Sequence, residues 1–105
     1  MVYLINSPIL TAYGEWCFEG PLTVERAKTF IADGFTSAIG HEASAAFLSQ
    51  LLGIDVATNR IAIEMQPGDA ALVSRIKTRL SEAKVITTDE MAEIPFELGW
   101  LKRTR

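Results

Sequence analysis

The chain has 105 residues, 49% of them apolar and 22% charged, which fits a single domain around one core. A formal net charge of −3 argues against a general nucleic-acid coat or a polybasic membrane binder. No apolar run approaches the roughly 18 residues that a membrane span needs. Cys17 is the one cysteine, so an intrachain disulfide or a multi-cysteine metal site is excluded. The start of the chain lacks the basic residues and long apolar stretch of a signal peptide, and a cytoplasmic location is expected.

Residues 2–5 form a short apolar run suited to a buried strand, and residues 15–18 are read as a second short strand. Thr23 is placed to cap a helix over residues 24–33, with Gly34 just past its end. Residues 35–39 read as a strand that stops at Gly40 and feeds a helix starting at His41 and ending at Gly53. Ser44, Phe47, Leu48, Leu51 and Leu52 form the core-facing stripe of that helix. His41 lies seven residues before Leu48, two helical turns away, so its side chain is expected to point towards the sheet.

Residues 59–65 alternate, with Ile61, Ile63 and Met65 on one face and Arg60, Ala62 and Glu64 on the other. Gln66-Pro67-Gly68-Asp69 has the composition of a turn, and residues 72–80 alternate again with Val73, Arg75, Lys77 and Arg79 sharing a face. The two runs are expected to form a β-hairpin in which Arg60 faces Arg75. Facing arginines are unfavourable unless something negative sits between them, a role for Glu64 in part and better for a bound phosphate. Thr87-Thr88-Asp89-Glu90 fits a capping box opening a short helix that Pro95 ends, and residues 96–101 supply the last strand. The expected fold is an α/β single domain, a mixed β-sheet of about five strands with packed helices.

Chemistry concentrates at Ser37-Ala38-Ile39-Gly40-His41-Glu42. His41 is the one histidine, and histidine is the side chain that titrates near neutrality. A helix start adds unpaired N–H groups and a positive dipole end, which favour an anion. Eight of the ten Lys and Arg residues are Arg60 or lie from Arg75 onwards, and arginine favours bidentate phosphate contacts. A local cationic site on a mildly acidic chain suits a small anionic ligand better than a long polyanion. Each feature also has a plainer reading: a histidine at a helix start is more often structural, and charges at period two are usually the solvated face of a sheet. Glu82 reads as a solvent-facing turn residue unless the turn brings it near His41. Cys17, beside Trp16, is read as a small buried apolar residue. A single His without Cys partners argues against zinc, and there is neither a Gly-rich phosphate loop nor a nucleophile elbow.

Taken in order, Tyr3-Leu4-Ile5-Asn6-Ser7, Ser37-Ala38-Ile39-Gly40-His41-Glu42, Leu51-Leu52-Gly53, Asn59-Arg60-Ile61, Arg79-Leu80-Ser81-Glu82 and Ile94-Pro95-Phe96-Glu97-Leu98-Gly99 resemble the small viral and prophage ring nucleases. These type III anti-CRISPR proteins degrade cyclic tetra-adenylate. The resemblance spans nearly the whole chain. It implies a compact homodimer whose two subunits form one site for a two-fold ligand. It also implies cleavage without metal or other cofactor, giving linear di-adenylate with a 2′,3′-cyclic phosphate, and no stable protein partner beyond the second copy.

By position, the resemblance gives His41 the part of general acid and Glu82 that of an acid supporting the catalytic site. Arg60 and Arg79 match ligand-binding arginines, and Asn6 a polar contact after the first strand. Gly40 belongs to the motif, and Arg75 is added from its expected face. Ala43 and Ala83 depart from the family pattern, where Ser or Thr and Gly are common. The alternative function is a non-catalytic protein that binds a cyclic nucleotide or nucleic acid.

Overall fold

The computed structural model describes residues 1–6, 10–76 and 95–105. In chain order the elements are β1 (Val2–Ile5), β2 (Trp16–Glu19), α1 (Val24–Ile31), β3 (Thr36–Ser37), α2 (Glu42–Leu52), β4 (Ala70–Ile76) and β5 (Phe96–Arg103). The strands form one five-stranded sheet in the order β2-β5-β4-β1-β3. β1 runs parallel to both β3 and β4, and β5 runs antiparallel to both β4 and β2. β1, β2, β3 and β4 therefore share one direction and their carboxyl ends gather at one edge of the sheet.

Both helices begin and end where local chemistry directs. Thr23 accepts a hydrogen bond from the Arg26 amide at 3.1 Å and opens α1, a cap of about 1 kcal/mol. α1 stops at Ile31, two residues short of the expected end, and Gly34 turns the chain with φ 117°. α2 ends at Gly53, whose φ of 67° is the left-handed cap that glycine adopts without strain. α2 buries Ala43, Ser44, Ala45, Phe47, Leu48 and Leu52, a wider face than one stripe because Phe47 and Leu48 meet sheet residues while the helix also packs on α1.

One core lies under the helices, with Leu4, Leu72 and Leu98 of the sheet meeting Ala27, Ile31, Ile39, Phe47, Leu48 and Leu52. Phe47 packs edge-on against Phe96 and Phe30 stacks on Trp100 at 4.3 Å, pinning α2 and α1 to β5 on either side of Leu98. Burying a side chain such as Leu48 or Phe47 contributes about 1.5–3 kcal/mol. A second, smaller core on the opposite face joins Ile5, Ala71, Val73 and Leu101 to Met65.

The expected hairpin does not form. Residues 55–66 carry no strand, and β4 is flanked by β1 on one side and β5 on the other, so both its hydrogen-bonding edges are occupied. Residues 71–74 are all buried, as in a central strand covered on both faces, where a one-sided hairpin would leave alternate residues wet. The alternation of Ile61, Ile63 and Met65 has another cause. This segment crosses the second face as an irregular strap, with Met65 wholly buried, Ile63 half-buried and Ile61 45% exposed. The turn at Gln66 to Asp69 is present and leads the strap into β4, with the Asp69 amide bonded to the Gln66 carbonyl at 2.9 Å. Cys17 is exposed on β2, an edge strand, and not buried as expected. The expected capping box at residues 87–90 lies outside the described residues.

Candidate functional site at the carboxyl edge of the sheet

In open sheets of parallel strands, ligands bind in the crevice beyond the carboxyl ends, where neighbouring strands lead their chains to opposite sides. Here β3, β1 and β4 run parallel and side by side, so their carboxyl ends form one such edge. The register pairs Leu4 with Ser37 and Ile5 with Val73. Continued two residues, it sets Asn6 level with Ile39, one residue before Gly40. Asn6 is exposed, so its amide is available at this edge.

The turn from β3 into α2 is held by a short ladder to the strap. The Ser37 hydroxyl donates to the Ala57 carbonyl at 2.6 Å, and the Asn59 side-chain amide donates to the Ser37 carbonyl at 2.7 Å. The Asn59 backbone amide donates to the Ile39 carbonyl at 2.7 Å, and the Ala38 amide to Leu4 at 2.9 Å. Arg60 then donates its Nε to the Gly40 carbonyl at 2.6 Å. A Cβ on Gly40 would stand 3.0 Å from Arg60 Cγ, so glycine allows the arginine stem to lie against the backbone. Four successive residues of the turn, 37–40, are thus fixed before the helix begins.

His41 occupies the N-cap position of α2 with extended backbone (φ −122°, ψ 122°) and makes no side-chain cap bond. It is half-buried and its Nδ1 is shielded from solvent. The structure therefore brings Gly40, His41 and Arg60 together, with Asn6 on the neighbouring loop. Glu42 follows in the first helical turn and is exposed, which offsets part of the positive potential of the helix start.

Arg75 does not face Arg60. Its cross-strand partner is Glu97 on β5, and the two side chains form an ion pair at 3.7 Å with 54% and 38% exposure. The expected arginine pair fails because residue 60 lies on the strap beside β3, two strand spacings from β4, about 10 Å along the edge. Arg75 remains at the carboxyl edge, where it lines a pocket of about 190 Å³ with Phe18, Gly20, Pro21, Glu97 and Gly99. Arg79 and Glu82 lie outside the described residues.

Glu97, Phe18, Ser37 and Asn59 were not singled out as site residues by sequence reasoning. Alternation in residues 96–101 does place Glu97 with Gly99 and Leu101 on one face, but the identity of the strand beside them is a long-range fact. Ser37 and Asn59 stand within quoted motifs, yet their roles in tying the turn depend on the strap lying next to β3.

The fold and edge define a class: a mixed-sheet α/β domain with both described helices on one face and a polar turn at the carboxyl edge. Within that class, the chain belongs to the STIV B116-like family, whose model matches residues 2–98. It is 37% identical over 106 residues to "Uncharacterized protein 26" of Sulfolobus islandicus filamentous virus (isolate Iceland/Hveragerdi), covering 96% of this chain and 89% of that one. It is 38% identical over 111 residues to "Uncharacterized protein ORF117" of Acidianus two-tailed virus, covering 100% and 95%. Both relatives are viral proteins, which supports a viral origin. Among solved structures, B116 of Sulfolobus turreted icosahedral virus superposes with a TM-score of 0.83 over 97% of this chain and 98% of that one, at 23% identity. That likeness establishes a shared fold. None of the described helices is long and apolar enough to cross a membrane.

Proposed function

We propose that this protein is a metal-independent ring nuclease that cleaves cyclic tetra-adenylate to linear di-adenylate and so switches off type III CRISPR signalling. The observation that carries the reading is the junction of Gly40, His41 and Arg60, where a proton carrier, a cation and a helix start meet on the carboxyl edge. In the reaction, a ribose 2′-oxygen attacks its own phosphorus in line and loses its proton to solvent. The bond from phosphorus to the 5′-oxygen breaks, and a 2′,3′-cyclic phosphate remains. His41 supplies the proton that the leaving 5′-oxygen requires, a contribution of about 10²–10⁴-fold. Arg60, with Arg79, offsets the charge that grows on the phosphate oxygens. Asn6 contacts the ligand, and Glu82 supports the site.

A ring of four identical nucleotides can adopt two-fold symmetry, so one ring matches an isologous site shared by two copies of the chain. A cationic side chain beside the helix start, on a chain of net charge −3, also favours a small anion over duplex nucleic acid. The test is incubation of the protein with cyclic tetra-adenylate in EDTA, beside His41→Ala, with products separated by chromatography. Di-adenylate from the unmodified protein alone is the expected result. An intact ring in both reactions overturns the enzyme and leaves a binding protein.

A further inference from the structure

We infer that the pocket at the β2 end of the carboxyl edge is a nucleobase subsite, with Phe18 as its stacking platform and the Arg75–Glu97 pair as its polar wall. The inference rests on the ring-nuclease reading for the identity of the base, adenine. Phe18 belongs to an edge strand and is 47% exposed, unusual company for a ring of that size. Its position is set by Gly99 on β5. A Cβ there would lie 2.5 Å from Phe18 Cε1 and 2.9 Å from Cζ, so only glycine lets the ring rest directly on the neighbouring strand. The ring is therefore supported from beneath and open above, an arrangement suited to a second flat ring.

The rest of the pocket fits the edge of a base. Glu19, Gly20 and Pro21 close one side, the last two with no polar side chain, and the volume of about 190 Å³ admits one flat heterocycle. On the other side a guanidinium and a carboxylate stand 3.7 Å apart, a donor beside an acceptor. Adenine presents the complement: an exocyclic amine that donates and a ring nitrogen beside it that accepts. The ion pair is loose and half-exposed, so the base can engage both groups while they stay close together. β2 lies four strand spacings from β3, about 19 Å along the same edge, and Phe18, paired with Leu101, stands on the face that the strap from Arg60 crosses.

The experiment measures cyclic tetra-adenylate affinity in a His41→Ala background, where turnover is removed, and compares that parent with added Phe18→Ala and Phe18→Trp. Phe18→Ala is expected to weaken binding about tenfold or more, the order for removing one stacked base, with an unchanged thermal midpoint. Phe18→Trp is expected to stay within about twofold of the parent, since it keeps a π-face. Equal affinity for all three overturns the subsite and leaves the ring-nuclease reading standing. Equal weakening by both substitutions also overturns it, because stacking is then not what Phe18 supplies. If the parent binds no cyclic tetra-adenylate, the ring-nuclease reading falls and adenosine 5′-monophosphate becomes the probe. Shifts of the Gly99 and Glu97 amide resonances that vanish in Phe18→Ala then support a nucleobase pocket, and their absence overturns it.

Discussion

The two ends of the sheet use similar residues in opposite ways. At the amino end, the Met1 ammonium binds Asp69 at 3.1 Å, and Arg103 donates to the carbonyls of Met65 at 2.7 Å and Tyr13 at 3.0 Å while lying over the Trp16 ring. Gly68 and Asp69 complete the closure with backbone bonds to Arg103, and Glu15 bonds to the chain end at residues 104 and 105. At the carboxyl end, Arg60 makes a single short bond to a backbone carbonyl, and Arg75 holds its carboxylate partner loosely. Asn6, Arg60 and Arg75 are all exposed there. An arginine that spends its donors on carbonyls fastens the chain; one that leaves its guanidinium at the surface does not. Residue type therefore says less than which edge a residue occupies.

That contrast can be broken by substitution, and the effects should fall in a definite order. His41→Ala is expected to give the largest change, a loss of cleavage of about 10²–10⁴-fold with folding and most of the affinity retained, measured by single-turnover product formation and calorimetry. Arg103→Ala at the opposite edge should do the reverse. It leaves several carbonyls short of a charged donor and lowers stability by about 2 kcal/mol, read from urea unfolding, while the folded fraction cleaves normally. Arg75→Ala removes an exposed pair, so the expected stability change is within about 0.5–1 kcal/mol, while ligand affinity falls measurably.

The smallest effect concerns pH. Asp69 is held below the ordinary carboxylate range, first by the hydrogen bond from the Gln66 amide and further by the terminal ammonium and Arg103, against some opposing desolvation. Its folded pKa lies below its unfolded one, so its contribution is fully present above the unfolded value. It is lost as pH falls through the folded value, in the acid range. Thermal midpoints followed from neutral pH into acid should converge for the unmodified protein and Asp69→Asn. Convergence at alkaline pH instead would contradict the assignment.

Sequence reading reached those parts of the fold that local chemistry specifies. Thr23 and Gly53 announce helix limits by capping, and residues 2–5 and 96–101 announce strands by apolar content, all within two residues of the observed bounds. The candidate site was legible to the extent that one turn carries it: Gly40 and His41 are adjacent, and Asn6 follows the first strand. Residues 59–65 misled because alternation reports which side is buried and not which strand, if any, supplies hydrogen bonds. Ile63 and Met65 do face a core, but from a strap. Val73 likewise read as sharing a charged face with Arg75, although it is wholly buried between β1 and β5. The partner of Arg75 was hidden because the pairing of β4 with β5 is non-local.

The most direct measurement is a map of backbone amide shifts when cyclic tetra-adenylate is added to the His41→Ala protein. Shifts concentrated at Asn6, Gly40, Arg60 and Arg75, with Glu15, Asp69 and Arg103 unmoved, are the expected outcome. Shifts centred on the amino end of the sheet, or none at either end, would contradict a functional carboxyl edge.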